Sequence, residues 1–267
     1  MDLDLEGKVA IVTGGSRGIG LAIARRLARE GARLAICARD PARLEAAATS
    51  LAEAAGTTDA VVLARPADTS DAAARRAFVE QVLAKAGRID ILVNNAGTHL
   101  RATVDDLTEE LLQRQLGDKV FGFLGMIQAV LPQMRRQGDG RIVNIIGQAT
   151  RHPHPDRLPS GIANAAAQAM TKSVADAVAR ENIRVNSVCP QYIETDIIAA
   201  TIEREMAARG VDRATAASGF TRANVLGRLG QAEEVADLVA FMVSDRADFV
   251  CGSSVSIDGG YNRYVFG

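Results

Sequence analysis

The segment Thr13-Gly14-Gly15-Ser16-Arg17-Gly18-Ile19-Gly20 constrains this 267-residue chain more than any other. It follows an apolar, β-branched run (VAIV, 9–12) and opens an amphipathic stretch (LAIARRLA, 21–28). A strand that turns on glycine into a helix leaves the helix's first backbone N–H groups unpaired and pointing out of the turn. Such a turn takes a phosphate. Gly14 permits the tight bend, Gly18 lets backbone approach a pyrophosphate, and Gly20 lets helix and strand pack closely. Glycine turns also occur as plain loops; the strand before and the helix after give this one its meaning.

The same alternation runs through the chain. Short apolar runs at 9–13, 33–38, 59–64, 89–95, 141–146, 183–188 and 253–258 alternate with amphipathic stretches at 19–30, 41–55, 71–86, 108–137, 160–180 and 231–243. This predicts an α/β fold, a single-domain, Rossmann-like, doubly wound parallel sheet of about seven strands with helices on both faces. No Pro/Gly/Ser-rich linker interrupts the chain, so 1–267 is read as one domain. Residues 196–230 stand apart as a charged helical insertion, expected to act as a substrate lid.

Hydrophobic residues make up 48% of the chain, enough for one substantial core, and no Trp is present. A net charge of −1 argues against a nucleic-acid binder, which would carry a basic face and stacking aromatics. No apolar run approaches the length of a membrane span, and the acidic start MDLDLEG is not a secretory leader. Cys37, Cys189 and Cys251 are odd in number and widely spaced, which suggests neither a disulfide framework nor a metal knuckle. A cytoplasmic protein with reduced thiols is the expectation.

Further motifs extend to the far end of the chain: Asp68 after the third apolar run, NNAG at 94–97, RIVN at 141–144, NIRVNSVCP at 182–190, Thr195, GRLG at 227–230 with EEVA at 233–236, and IDGG at 257–260. With TGGSRGIG they resemble the short-chain dehydrogenase/reductase family of the classical type, at family-like spacing over nearly the whole chain. The resemblance implies a nicotinamide dinucleotide held by Gly14, Ser16, Arg17, Gly18, Ile19 and Gly20. It also implies Asp68 at the adenine, Asn94 and Ala96 beside the adenosine ribose, and Thr195 at the nicotinamide amide. Gly97 and Pro190 belong to the same cofactor side, and Gln191 stands where the family usually has glycine.

The residue that ends the second strand selects between the two nicotinamide cofactors. An NAD enzyme places a carboxylate there for the ribose hydroxyls. This chain has Ala38 followed by Arg39, with Arg17 in the turn nearby. Guanidinium groups pair with a 2′-phosphate through charge-assisted hydrogen bonds, so NADP(H) is preferred over NAD(H). The plainer alternative makes both residues ordinary solvated arginines.

The catalytic side does not follow the family. The tyrosines are Tyr192, Tyr261 and Tyr264, the lysines Lys8, Lys85, Lys119 and Lys172, and no lysine lies four residues after a tyrosine. Aligned with the family, the catalytic serine falls on Gly147, the tyrosine on Ser160, the lysine on Asn164 and the asparagine on Lys119. Ser160 and Asn164, four apart on a helix, would share the face that a Tyr/Lys pair uses. A serine hydroxyl is too weak an acid to replace tyrosine unaided. Lys119 is a candidate acid or base, because a desolvated lysine loses basicity; alternatively it fills vacated space with Asn164 as its partner.

Tyr192, His152 and His154 are further catalytic candidates on loops facing the substrate, and His99 lies on another such loop. A loop histidine is more ordinarily solvated. The run His-Pro-His-Pro-Asp is a weak metal signal, and no metal is expected. Arg101, Arg151 and Arg157 flank these histidines, so the small-molecule substrate is a candidate anion; a solvated charged rim is the alternative. The resemblance implies a homo-oligomer, tetramer or dimer, packed through 108–137 and 160–180. Three functions remain open: an NADP(H)-dependent oxidoreductase on a carbonyl or alcohol with a relocated proton donor, a catalytically silent cofactor-binding member, and a lyase or isomerase using the same pocket.

Overall fold

Every residue of β1 (Val9–Thr13) is buried, because the strand lies mid-sheet and is covered on both faces. The computed structural model describes residues 2–263, so Met1 and Tyr264 lie outside the described residues. The other strands are β2 (Arg33–Ala38), β3 (Val61–Pro66), β4 (Ile91–Asn94), β5 (Gly140–Ile145), β6 (Ile183–Pro190) and β7 (Ser254–Ile257). All pair in parallel, in the order β3-β2-β1-β4-β5-β6-β7. The helices are α1 (Gly18–Arg29), α2 (Pro41–Ala55), α3 (Ala72–Ala86), α4 (Glu109–Leu116), α5 (Gly122–Gln137), α6 (Leu158–Val178), α7 (Asp196–Arg209), α8 (Arg213–Thr221) and α9 (Ala232–Met242).

The two-residue period of the strands divides the core. Ala10 and Val12, with Leu34 and Ile36, meet Ile23 and Leu27 of α1, Leu44 of α2 and Val235 and Val239 of α9. Val9 and Ile11 point the other way, into Phe78 and Val82 of α3 and Met126 and Val130 of α5. Each such fully buried side chain contributes about 1.5–3 kcal/mol of transfer free energy. Alternation therefore explains both why helices cover two faces and why the strands read as continuous apolar runs.

The chain builds outward from β1 to β3, then returns to set β4 on the other side of β1, with Val12 beside Val93. Connections leave in opposite directions above the carboxyl ends of β1 and β4, and a crevice opens there. Element boundaries fall within two residues of those predicted by periodicity, with one exception. The stretch expected as a single helix at 108–137 is α4 and α5 joined by a π-helical turn, Gly117–Phe121. Glycines bracket that turn, and glycine has a low helix propensity. Gly122 also lies against Thr69, where a Cβ would come 3.3 Å from the carbonyl oxygen.

Residues 196–230 form α7, α8 and a return segment. The excursion is closed at its base, where Ile193 bridges Gly230, Glu194 N–H donates to the Gly230 carbonyl (2.8 Å) and Gly230 N–H to that of Tyr192 (3.0 Å). Only Ile202 of α7 and Ala216 of α8 are buried, so the segment has little core of its own. Among the described residues no helix is long and apolar enough to cross a membrane.

Candidate active site and cofactor cleft

A cavity of about 470 Å³ occupies the crevice, lined by Gly14, Ser16, Arg17, Gly18, Ile19 and Gly20 along the first turn. Ala96 and Gly97 contribute from the loop after β4, and Thr195 from the N-terminal boundary of α7. Hydrogen bonds from the end of β4 hold the turn in place. Thr13 Oγ1 accepts from the N–H groups of Asn95 and Ala96, each at 3.0 Å. Asn95 Nδ2 donates to the carbonyls of Thr13 (3.0 Å) and Gly14 (3.2 Å). A Cβ on Gly20 would lie 2.3 Å from the Gly14 oxygen and 2.4 Å from Asn95 Nδ2. Gly20→Ala is therefore expected to destabilise the protein by about 1–3 kcal/mol in urea unfolding and to abolish dinucleotide binding in a calorimetric titration. Unchanged values in both measurements would remove the close-packing role given to this glycine.

The turn fits a pyrophosphate. The residue preceding α1, Arg17, makes no side-chain capping bond, and the first turn of the helix holds no acid. Its N–H groups and the positive end of its dipole are thus available to an anion. Gly18, at φ +53°, presents no side chain to the cleft; a Cβ there would face only Thr195, 3.6 Å away. A bulky residue would fill the space that a phosphate needs.

At the other end of the cleft, Ala38, Arg39, Asp40, Arg43 and Asp68 form the wall. The strand end carries no carboxylate. Asp40 caps α2 by accepting from Arg43 N–H (3.2 Å), and Arg43 Nε lies 3.3 Å from its Oδ2. Asp68 Oδ1 accepts from Ser70 N–H (2.9 Å) and Ser70 Oγ (2.8 Å). Burial would raise the Asp68 pKa, but these bonds, with Arg39 and Arg75 nearby, hold it below the ordinary value. It is an ionised acceptor at neutral pH.

Lys119 lies in the π turn, where such turns often accompany functional sites. The side chain is half-buried, and Nζ donates to the Ile145 carbonyl (2.7 Å) and sits 4.9 Å from the centre of the Phe123 ring. A Cβ on the cleft-lining Gly97 would be 3.9 Å from this nitrogen, so the ammonium lies beside that residue. Desolvation brings its pKa down to about 8, against a smaller upward pull from Cys189. Asn164 is not its partner. Asn164 Oδ1 accepts instead from Gly147 N–H (3.3 Å), and a Cβ on Gly147 would meet Asn164 Nδ2 at 3.1 Å.

Ser160 is buried and is not part of the cavity lining. Its Oγ donates to the Leu100 carbonyl (2.9 Å) and lies 3.1 Å from His99 Nδ1 and 3.3 Å from Gln115 Oε1. Gln115 in turn holds Leu100 N–H (2.9 Å) and the Thr98 carbonyl (3.0 Å). Ser160 and Asn164 do share a face of α6, but the first anchors the loop after β4 and the second the loop after β5. Too short to reach across, the serine bonds to what is adjacent.

Tyr192, at φ +52°, packs edge-on against Phe220 and Tyr261, each at 5.3 Å between ring centres, and Tyr261 meets His152 at 4.7 Å. His154 is exposed and ion-paired with Asp156, which also pairs with Arg101. His152 and Tyr192 thus join one aromatic wall, while His154 belongs to a surface network. Two cofactor-side expectations also differ. Asn94 is fully buried and donates to Asn144 Oδ1 (2.9 Å) and the Phe123 carbonyl (3.4 Å), so Asn95, the next residue, reaches the cavity instead. Alternation at the strand end explains the exchange. Pro190 ends β6 outside the cavity wall.

A family model described as enoyl-(acyl carrier protein) reductase matches residues 14–262. The 3-oxoacyl-(acyl-carrier-protein) reductase of Thermotoga maritima is 34% identical over 96% of this chain and 98% of its own. The chain belongs to the short-chain dehydrogenase/reductase family. L-sorbose reductase of Gluconobacter frateurii, solved with NADPH and L-sorbose, superposes with a TM-score of 0.95 at 32% identity over 99% of this chain and 100% of that one. An NADPH-bound short-chain oxidoreductase from Pseudomonas aeruginosa, described as containing an atypical catalytic center, gives a TM-score of 0.88 at 32% identity, covering 97% and 98% of the two chains.

Within this short-chain dehydrogenase/reductase, several cleft residues escape reading from sequence. Arg43 could have been found: Asp40-Pro41 is a helix start, and a residue one turn in from the strand end returns to the same wall. Asp118 carries no such signal. It lies in the π turn, lines the cleft and accepts from Thr98 Oγ1 (2.6 Å).

Proposed function

We propose that this protein is an NADP(H)-dependent oxidoreductase acting on a carbonyl or alcohol substrate, with Lys119 as proton donor in place of the family's tyrosine. The enclosed Lys119 ammonium beside the cleft-lining Gly97 carries this reading. Arg17 and Arg39, joined by Arg43, hold the 2′-phosphate, the glycine turn holds the pyrophosphate, and Thr195 and Gly97 flank the nicotinamide end. The bound nicotinamide supplies a hydride to the substrate carbon or takes one from it. As negative charge develops on the substrate oxygen, Lys119 gives up a proton to it. A desolvated ammonium is a stronger acid than a solvated one, and its bond to the Ile145 carbonyl fixes its direction.

The catalytic positions of the family are thereby replaced, with Gly147 and Asn164 shaping the site and Ser160 restricted to holding the loop. The α7–α8 excursion closes over the substrate as a lid, and the aromatic wall of Tyr192, Tyr261 and His152 faces it. Copies of the chain associate through α4, α5 and α6 with the π turn, where Phe121 of the turn and Ile162 of α6 are 58% and 39% exposed. The protein works in the cytoplasm, where the thiols of Cys37, Cys189 and Cys251 stay reduced.

A pH profile tests the assignment. The donor must carry its proton for reduction, so kcat/KM for ketone reduction is expected to be level at lower pH and to fall as pH rises through about 8. Alcohol oxidation, which needs the free amine, should rise over the same range. NADPH oxidation across a broad carbonyl panel provides the measurement. A profile identical in wild type and Lys119→Gln would remove Lys119 as donor, and no turnover with any panel member would favour a cofactor-binding protein without redox activity.

A further inference from the structure

Asp40, Asp68, Asp118 and Asp196 are the carboxylates on the wall of the cleft. Asp40 is committed to the start of α2 and to Arg43, and Asp68 to both donors of Ser70. Asp196 is exposed in the first turn of α7, where the positive end of the helix dipole suits an acid. Asp118 is different. It is half-buried, and the chain runs into it from α4 in continuous right-handed helical backbone, so no helix start lies beside it. Its Oδ2 accepts from Thr98 Oγ1 (2.6 Å), while among the described residues Oδ1 accepts from no donor and no cation pairs with the group.

Position decides which part of a ligand Asp118 meets. One turn further along the helix, Gly122 packs against Thr69, which lines the cleft together with Asp68. Ala67 N–H donates to the Ala38 carbonyl (3.0 Å), which sets Asp68 and Thr69 beside the end of β2 that carries Arg39. The Thr98 bond ties Asp118 to the loop after β4, where Asn95, Ala96 and Gly97 line the cleft. Asp118 therefore stands between the end of β3 and that loop, on the side of the cleft where the proposed function puts the phosphorylated ribose. A bare carboxylate there repels a ligand rich in phosphate unless it meets a hydrogen-bond donor. The adenosine half of NADP offers such donors only in the adenine amine and the ribose 3′-hydroxyl, because its 2′ oxygen is phosphorylated.

We infer that Asp118 is a cofactor-binding residue whose free carboxylate oxygen accepts a hydrogen bond from the adenosine half of the dinucleotide, from the adenine amine or the ribose 3′-hydroxyl. The Thr98 bond fixes one oxygen and so leaves the other directed by the same contact. Asp118 then reads a part that NAD and NADP share, whereas Arg39 reads the 2′-phosphate that distinguishes them. This assignment rests on the cleft holding a nicotinamide dinucleotide and does not need turnover.

Calorimetric titration of the full-length protein with NADP⁺ and NAD⁺ tests this. Asp118→Ala should weaken both by about tenfold or more and by the same factor, the loss expected of one charge-assisted hydrogen bond. Asp118→Asn keeps an acceptor oxygen of the same reach and should lose only part of the affinity. It also keeps the acceptor for Thr98, so its thermal midpoint should match wild type and its deficit be one of binding rather than folding. Thr98→Val, which removes only the internal bond, should bind both dinucleotides nearly as wild type does. Two analogues separate the donors. The Asp118→Ala penalty should vanish with deamino-NADP⁺, which lacks the adenine amine, or with NADP⁺ lacking the 3′-hydroxyl, and the analogue that abolishes it identifies the donor. A penalty undiminished with both analogues overturns the inference. So does tighter binding by Asp118→Ala and Asp118→Asn, the result for a carboxylate that merely repels phosphate, and so does a loss in Thr98→Val equal to that in Asp118→Ala. Wild-type affinity in Asp118→Ala beside a selective loss of NADP⁺ in Arg39→Ala would discard Asp118 alone. Wild-type protein that binds neither dinucleotide would discard the proposed function as well.

Discussion

Lys119→Gln is expected to lower kcat for NADPH-linked carbonyl reduction by about 10²–10⁴-fold, the usual contribution of a positioned general acid. NADPH affinity should change far less, because Lys119 takes no part in the phosphate or adenine end of the cleft. The variant should fold. The side chain it replaces holds a desolvated ammonium whose pKa has fallen to about 8, and an uncharged amide of similar length removes that penalty while keeping a donor for the Ile145 carbonyl. Lys119→Arg restores the charge but not the acidity, since a guanidinium does not release its proton in this range. It should be as slow as the glutamine variant. Small primary amines added to Lys119→Ala should recover part of the rate if the missing element is a proton donor. A Lys119→Gln variant with undiminished kcat would end the proposal, and equal losses in NADPH affinity and kcat would recast Lys119 as a cofactor-holding residue.

Arg39→Ala should raise KM for NADPH by about 10–100-fold and leave KM for NADH nearly unchanged. The estimate follows from losing one charge-assisted interaction of about 1.5–3 kcal/mol, at roughly 1.4 kcal/mol for each factor of ten. Arg17→Ala should move the ratio in the same direction, and Arg43→Ala less, because Arg43 is partly neutralised by Asp40. Placing an acid at the strand end, Ala38→Asp, should shift preference further toward NADH by meeting the ribose hydroxyls that NAD exposes there. Initial-rate measurements with both cofactors on a single substrate decide the matter. Equal KM changes for NADPH and NADH in Arg39→Ala would mean that the residue does not read the 2′-phosphate.

Much of the cofactor side was legible because its signals are local. A strand, a glycine turn and a helix start occupy consecutive residues; Gly20 answers to a short contact with the Gly14 oxygen, and Gly18 to a positive φ on the open face toward Thr195. Asn94 shows the limit of such reading. The motif NNAG marked the correct loop, but the buried strand end turned Asn94 inward to Asn144 and left Asn95 on the cavity. The catalytic side was legible only as a set of positions. Spacing put Ser160 and Asn164 on one helical face, yet it could not show that Ser160 would bond to the loop at Leu100, or that Lys119 would bypass Asn164 for Ile145.

The sequence by itself determined the doubly wound sheet, the phosphate turn and the arginines at the end of β2, because strand period, helix period and glycine conformation are properties of neighbouring residues. It also determined what is missing, since no tyrosine precedes a lysine by four. Tertiary structure alone decided the state of the charged groups. Lys119 is a weakened base because β5 and Phe123 enclose it, and Asp156 is shared among Arg101, His154 and Arg157. Desolvation and competition for a partner depend on residues brought together from distant parts of the chain, and no local pattern encodes them.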